Sequence, residues 1–133
     1  MNELGRRSAE TMSGHQMYSQ LSSPRQTLVR LCQRLNYGLI QRLGVHDADP
    51  VFDPHNIVVL VDEKLDTSDA PRPEAELTDF KLAAELCRLM RRLDAIRDGM
   101  IERLEVRGGI PRRVVFVSGL SELFPLEKMD RPR

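Results

Sequence analysis

Two histidines and three aspartates lie within ten residues near the middle of the 133-residue chain. They are His46, Asp47, Asp49, Asp53 and His55. Imidazole nitrogens and carboxylate oxygens are donors that first-row metals accept, so a metal site is one functional hypothesis. The spacing matches no established ligand pattern, and the segment lacks the glycine and terminal glutamate of a calcium loop. A solvated turn, with aspartates bonded to local backbone and prolines for rigidity, explains the same residues.

Seven of the eight arginines between residues 88 and 113 form a second set that could bind a ligand. They are Arg88, Arg91, Arg92, Arg103, Arg107, Arg112 and Arg113. Guanidinium groups that share a surface neutralise phosphates, so nucleic-acid binding is the alternative function that this region predicts. Acidic residues lie among these arginines, and ion pairs on a solvated face therefore explain them as well. The region also lacks interleaved aromatics that would stack on bases.

Residues for catalysis are not grouped in the sequence. Acid–base or nucleophilic catalysis needs a base held beside its partner, and the serines, cysteines and histidines suggest no such set. Cys32 and Cys87 occupy apolar helical positions, where a free thiol packs as a small hydrophobe. Gly108 and Gly109 precede a predicted strand rather than a helix, so they do not begin a phosphate-binding loop. We expect no enzymatic activity and no cofactor.

Composition is typical of a globular domain, with 41% hydrophobic and 30% charged residues. The formal net charge of zero hides a segregation of charge, because residues 47–79 contain ten acids and residues 88–113 contain eight arginines. Reduced cysteines within apolar patterns favour the cytoplasm. The chain has neither the apolar region of a signal peptide nor an apolar run that would span a bilayer, so we expect no membrane association.

An internal repeat organises the elements that position these residues. Residues 38–50 and 99–111 align at an offset of 61 and share Gly, Ile, Arg, Leu, Val and Pro at matching positions. Upstream, Leu28 aligns with Leu89, so the preceding segment is shared too. The acidic loop is then an insertion in the first copy. The repeat predicts one domain built from two similar halves.

The first half reads as a helix followed by two strands. Ser23 as cap and Pro24 in the first turn predict a helix that runs to about Asn36, and Gly38 would end it in a left-handed conformation. Residues 39–45 alternate imperfectly, as a strand would. Residues 57–61 are five consecutive aliphatics, which indicate a strand covered on both faces.

The second half repeats this order after an acidic linker at residues 62–72. A helix is predicted from Pro73 to about Arg97, with an apolar surface broad enough to pack against two layers. Strands follow at residues 100–107 and 110–117, joined by a two-glycine turn. Residues 1–22 are expected to form a flexible tail, and residues 120–133 a short C-terminal segment whose first residues make one helical turn.

These elements predict an α+β fold with a duplicated helix-strand-strand unit in a single domain, residues 23–119, whose halves are 23–61 and 73–119. Two hairpins would form a four-stranded, largely antiparallel sheet with both helices on one face. The other face would expose the aliphatic side chains of the second and fourth strands, a patch that a soluble monomer seldom leaves open. The predicted interface is a sheet-to-sheet homodimer through Val59, Val61, Val115 and Val117.

The stretch Ile96-Arg97-Asp98-Gly99-Met100-Ile101, continued by Val106-Arg107-Gly108-Gly109, resembles a family of very short, uncharacterised bacterial proteins. The shared features within Ile96–Pro111 are a helix, an isoleucine-basic-x-glycine step, a strand and a glycine turn. Asp98 departs from the family, which shows an aromatic residue there, and Pro111 also departs. The resemblance implies the fold module and no chemistry. The sequence as a whole predicts a non-catalytic, dimeric module of a bacterial-type cytoplasmic protein that binds a protein partner.

Overall fold

The computed structural model describes residues 16–68 and 70–124, apart from the side chain of Ser121. The regular elements are α1 (Ser23–Leu35), β1 (Tyr37–His46), β2 (Asp49–Val51), β3 (Val58–Val61), α2 (Ala84–Ile96), β4 (Gly99–Arg107), β5 (Ile110–Phe116) and α3 (Leu120–Leu123). Single 3-10 turns lie at Tyr18–Gln20 and Pro73–Glu76. The predicted tail at 1–15 and the C-terminal segment at 125–133 lie outside the described residues.

All strands belong to one antiparallel sheet. β1 pairs with β4 from Tyr37↔Arg107 to Val45↔Gly99, and β4 pairs with β5 on its other side. The second edge of β1 carries two short strands in succession, with β2 beside its end and β3 beside its beginning. Five strands therefore occupy four positions across the sheet, which confirms the predicted α+β class and its antiparallel sheet.

Both helices cover the same face of this sheet. The buried side chains of β1 and β4 form one cluster with those of α1 and α2. The strand residues are Ile40, Leu43, Val45, Ile101, Leu104 and Val106, each at most 4% exposed. Burying a leucine or isoleucine side chain stabilises a fold by about 1.5–3 kcal/mol, so this cluster dominates the folding energy. No helix within the described ranges is long and apolar enough to cross a membrane.

The imperfect alternation of the central strands has a local cause. Arg42 adopts a positive φ of 57°, so Ile40 and Leu43 both face the helices although two residues separate them. β4 has the same spacing, because Ile101 and Leu104 are buried while the two residues between them are exposed. The irregularity therefore keeps three inward side chains on each strand.

The boundaries of α1 differ from those predicted by one residue at each end. Its N-cap is Ser22, whose Oγ accepts a hydrogen bond from the backbone N–H of Arg25 at 3.4 Å. Its C-cap is Asn36, with a φ of 64°, so the prediction that Gly38 ends the helix is wrong. Gly38 lies within β1 instead, where an added Cβ would overlap the carbonyl oxygen of Leu60. Glycine is needed here for the close approach of β3.

The second helix begins eleven residues later than predicted, at Ala84 instead of Pro73. The preceding segment is extended, and its backbone pairs with the N-terminal segment. Phe80 O accepts a hydrogen bond from Tyr18 N at 2.9 Å, and Leu82 N donates to Gln16 O at 2.9 Å. Apolar residues that suggested a helix thus enter the core from an extended strand-like segment.

The N-terminal residues 16–22 belong to the folded domain, so the predicted flexible tail is wrong for this part. Leu21 is 7% exposed and joins the core. The ring of Tyr18 stacks on that of Phe80 with centroids 5.0 Å apart. Asp79 accepts hydrogen bonds from both the backbone N–H and the hydroxyl of Ser19, each at 2.9 Å. These partners lie about sixty positions away in sequence, which is why local pattern missed them.

The two halves have matching junctions between helix and strand. The C-cap residues Asn36 and Arg97, separated by the offset of 61, have φ/ψ of 64°/−59° and 60°/−63°. Each C-cap carbonyl accepts a hydrogen bond from the hairpin turn of the other half, from Gly109 N to Asn36 O at 2.9 Å and from Ala48 N to Arg97 O at 2.8 Å. These reciprocal bonds join the halves. Descent of both from one duplicated unit remains a prediction.

Candidate interaction surfaces

The residues proposed from sequence as a metal site are directed to different partners. His46 Nδ1 lies 3.0 Å from Asp98 Oδ1, and Asp47 Oδ1 lies 3.1 Å from Arg97 Nη2. The backbone N–H of Asp47 also donates to Asp98 at 2.9 Å. That bond is the main reason that the pKa of the Asp98 carboxyl is lowered from its ordinary value, with the nearby His46 imidazole contributing less.

The remaining three candidates are likewise engaged in the local structure. Asp49 Oδ1 accepts a hydrogen bond from Ser22 Oγ at 2.7 Å. Asp53 Oδ1 accepts one from the backbone N–H of His55 at 3.0 Å, as in an Asx turn. Across residues 16–68 and 70–124, no group of three or more His, Cys, Asp or Glu side chains could hold a metal ion. The structure therefore corrects the hypothesis of a shared ligand set.

Polar contacts of Arg25 instead hold the first hairpin turn against the second half. Arg25 Nη2 donates to Ala48 O at 2.8 Å and lies 2.6 Å from Asp94 Oδ1. Its Nε lies 3.5 Å from Asp49 Oδ1, and the side chain is only 12% exposed. A largely buried guanidinium with three partners fixes the turn more firmly than an exposed ion pair would.

The four valines predicted as an interface do not share one face of the sheet. Residues directly opposite in antiparallel strands project to the same side. Val59 lies opposite Ile40, which is buried under the helices, so Val59 and Val61 project to the helix side. Val115 lies opposite Arg103 and projects, with Val117, to the other side. The predicted interface is wrong for Val59 and Val61, because the sequence assigned β3 to the wrong face.

The side of the sheet away from the helices is called here the outer face. Two cross-strand rows define it, Leu60–Leu39–Glu105–Arg113 and Val58–Gln41–Arg103–Val115, with Val117 at its margin. Leu60 is 46% exposed, Val115 is 40% exposed and Val117 is 63% exposed. The outer face thus combines apolar side chains at both edges with a charged centre.

Four of the seven candidate arginines surround one groove between α2 and β5, called here the arginine groove. Arg88 and Arg92 come from α2, and Arg112 and Arg113 come from β5. The groove encloses about 240 Å³ and is lined also by Glu85, Leu89, Leu104, Pro111 and Val114. The sequence predicted one basic surface from all seven arginines, and the packing of α2 against β5 brings these four to one groove.

The other three arginines of the candidate set lie elsewhere. Arg103 is on the outer face, where it lies near Arg113. Arg107 is at the end of β4, and its carbonyl oxygen accepts a hydrogen bond from Arg112 Nε at 3.4 Å. Arg91 is an exposed residue of α2 that does not line the groove. The predicted basic surface is therefore smaller than the sequence suggested.

Two surfaces remain on which a functional argument can be based, the outer face and the arginine groove. Comparison with protein-family models, curated proteins and solved structures finds no match. The argument for function therefore depends on the chemistry of the described residues. The resemblance of Ile96–Pro111 to short bacterial proteins stays a prediction.

Two arginines that sequence reasoning left aside have defined structural roles. Arg25 holds the hairpin turn, and the guanidinium of Arg30 lies 4.4 Å from the centroid of the Tyr18 ring and 5.2 Å from that of Phe80. Arg30 Nη2 also donates to Leu77 O at 2.6 Å. Their partners are distant in sequence, so no local pattern would have found them.

Burial raises the pKa of the Cys32 thiol to about 12, which keeps this thiol protonated at neutral pH.

Proposed function

We propose that the protein is a non-catalytic protein-interaction or assembly module that self-associates through the outer face of its sheet. The observation that supports this proposal is the exposure of apolar side chains on that face. Leu60, Val115 and Val117 stand 40% to 63% exposed opposite a face that two helices cover. A surface of this kind loses unfavourable contact with water when a second sheet covers it.

The charges of the outer face favour a second copy of the same chain as the partner. Glu105 lies directly opposite Arg113 and has Arg103 two residues before it on the same face. A twofold axis through the sheet would bring the carboxylate of one copy near guanidinium groups of the other. Isologous interfaces require such self-complementarity, because one patch must match itself.

The size of the outer face sets the expected strength of association. Four strand positions about 4.8 Å apart and about seven residues of about 3.4 Å give a projected area of about 450 Å². A standard stable interface buries about 800 Å² of accessible surface on each partner. We therefore expect a reversible dimer at micromolar concentration, in the cytoplasm, whose reducing conditions suit the free thiols Cys32 and Cys87.

Molar mass measured by light scattering over about 1–100 µM protein tests the proposal, since that range brackets a micromolar dissociation constant. The mass should rise toward that of a dimer for the wild type. Val115→Glu places a charge on the outer face and should keep the protein monomeric. Leu65→Glu is the matched control, because Leu65 is 95% exposed in the linker and away from the sheet. A wild-type mass that stays monomeric throughout would contradict the proposal.

A further inference from the structure

The arginine groove has a charge that the fold does not neutralise. Four arginines and one glutamate line it, and Glu85 already pairs with Arg112 at 2.8 Å between Oε2 and Nη1. Both members of that pair are about 40% exposed, so water screens their attraction. Arg113 lies opposite Glu105 in the neighbouring strand, so Arg88 and Arg92 supply most of the positive potential at the rim. An anionic ligand gains the most electrostatic attraction where several such charges converge on a concave surface.

The spacing of the groove arginines suits a chain of anions. Arg88 and Arg92 are four residues apart on α2, which places them one above the other with a rise of about 6 Å. Successive phosphates of a nucleic-acid strand have a comparable separation. Arg112 faces them from β5, with Arg113 beside it at the margin shared with the outer face, so a strand in the groove would meet guanidinium groups on both sides. Guanidinium forks bind phosphate oxygens in pairs.

The floor of the groove is apolar, unlike its rim. Leu89, Leu104, Pro111 and Val114 form it, and Val114 is the most exposed of the four. Next to it, the guanidinium of Arg92 lies 4.9 Å from the centroid of the Phe116 ring. Apolar surfaces, guanidinium planes and aromatic rings are the surfaces on which unpaired bases stack. An acidic peptide would use the rim and would leave most of this floor without a partner.

We infer that the arginine groove binds single-stranded nucleic acid, with phosphates at the four arginines and bases against the apolar floor. Arg88, Arg92 and Arg112 lie outside the two rows of the outer face, whereas Arg113 belongs to one of them, so a protomer whose outer face is covered keeps three of the four arginines. Four phosphate contacts of a free protomer to a single strand predict a slope of about −3 for log affinity against log salt. The ligand chemistry is a phosphate backbone with unpaired bases, which RNA and DNA single strands both offer.

Fluorescence anisotropy with labelled mixed-sequence RNA and DNA single strands tests the inference at about 50 mM and about 200 mM salt. Affinity for at least one strand should fall about sixtyfold between these two salt concentrations, as a slope of about −3 requires. A poly-glutamate peptide of equal charge serves as competitor. It should displace the strand weakly, because it cannot use the apolar floor.

Arg88→Glu and Arg34→Glu form a matched pair of variants, since each reverses one exposed helical arginine. Arg88 lines the groove, whereas Arg34 lies in the last turn of α1. R88E should weaken binding about tenfold or more and reduce the salt slope, and R34E should change affinity less than about twofold. Circular dichroism checks that both variants fold.

Three results would overturn the inference. The first is absence of binding to both strands at the lower salt concentration. The second is an equal loss of affinity in R88E and R34E, which would assign the binding to general charge. The third is displacement by poly-glutamate as effective as by an unlabelled strand, which would assign the groove to an acidic protein segment.

Discussion

The two hairpins of the sheet have the same turn but different edges. In each, a two-residue turn with positive φ connects the strands, at Asp47–Ala48 in the first and Gly108–Gly109 in the second. The second hairpin continues into the unbroken strand β5. In the first hairpin, Gly44 of β1 pairs with Val51, and Gln41, three residues away, pairs with Val58, seven residues away. The extra residues break the edge into β2 and β3.

The backbone frame that the two halves share is therefore separable from the side-chain chemistry of the two sheet edges. The turns and C-caps form the frame, and reciprocal hydrogen bonds hold it in both halves. The inserted loop carries aspartates on one edge, whereas the other edge carries arginines that meet α2. The aspartates of residues 47–53 and the groove arginines thus lie at opposite edges of one sheet. Substitutions at equivalent positions of the two halves test whether a residue supports the shared frame or one edge.

The largest difference is expected between Gly38→Ala and Gly99→Ala, at positions related by the offset of 61. An added Cβ at Gly38 would overlap the backbone oxygen of Leu60, which belongs to the paired strand β3. At Gly99 it would lie 3.2 Å from Ile96 Cγ2, a side-chain atom that can shift. We expect G38A to lower the free energy of unfolding by about 3 kcal/mol and G99A by less than about 1 kcal/mol.

Urea unfolding followed by circular dichroism measures both values. Equal losses in the two variants would show that the approach of β3 to Gly38 is not specific to the first half. A loss in G38A that is accompanied by an unchanged slope with denaturant would assign the effect to the native state.

At the first hairpin turn, a smaller change in the free energy of unfolding is expected, and it is a stabilisation. Ala48 has a φ of 67°, a conformation that costs a non-glycine residue about 1–2 kcal/mol. Ala48→Gly should therefore raise the free energy of unfolding by about 0.5–1 kcal/mol after the entropy of the unfolded chain is deducted. Gly109→Ala is the reverse substitution at the matching turn and should lower it by more than this, because the added Cβ would also lie 2.9 Å from Cγ and Cδ of Arg72. Destabilisation by A48G would contradict this account of the turn.

The smallest effect is expected at the contact between Asp79 and the N-terminal segment. Hydrogen bonds from the backbone N–H and hydroxyl of Ser19 lower the pKa of the Asp79 carboxyl from its ordinary value. A lowered native pKa adds stability that is present above the unfolded value of about 3.9 and is lost as pH falls through the native value. Acidification below about pH 4 should thus loosen this contact.

Hydrogen exchange at residues 16–21 measures the loosening directly. Asp79→Asn should increase exchange there at neutral pH and remove its further increase in acid. Exchange that stays unchanged in D79N would show that the stacking of Tyr18 on Phe80 and the backbone hydrogen bonds to residues 80–82 hold the segment without Asp79.

Sequence reasoning predicted those parts of the fold that local pattern determines. The apolar spacing of α1 and the repeated strands led to the correct layers, because burial on one side leaves a period in the sequence. It misplaced the start of α2, since Phe80 and Leu82 are buried by pairing with residues 16–18. Long-range pairing leaves no local period.

In the candidate sites, too, local pattern predicted the residue types and long-range packing determined which residues come together. The seven arginines were recognised by type, but only four line one groove, which depends on how α2 packs against β5. Val59 and Val61 were assigned to the outer face because a run of consecutive aliphatics does not reveal which residues face the helices. Asp47 of the loop has its ion-pair partner, Arg97, in the other half, and Asp49 has Arg25 of α1, which no spacing indicated.

If the outer face is the self-association surface, substitutions at two adjacent residues of β3, one on each side of the sheet, should affect the dimer differently. Leu60 lies on the outer face and Val61 on the helix side, and both are exposed. Sedimentation equilibrium should show that Leu60→Glu abolishes the dimer and that Val61→Glu retains it. Loss of the dimer in both variants would indicate pairing through the β3 edge, and retention in L60E would contradict the claim.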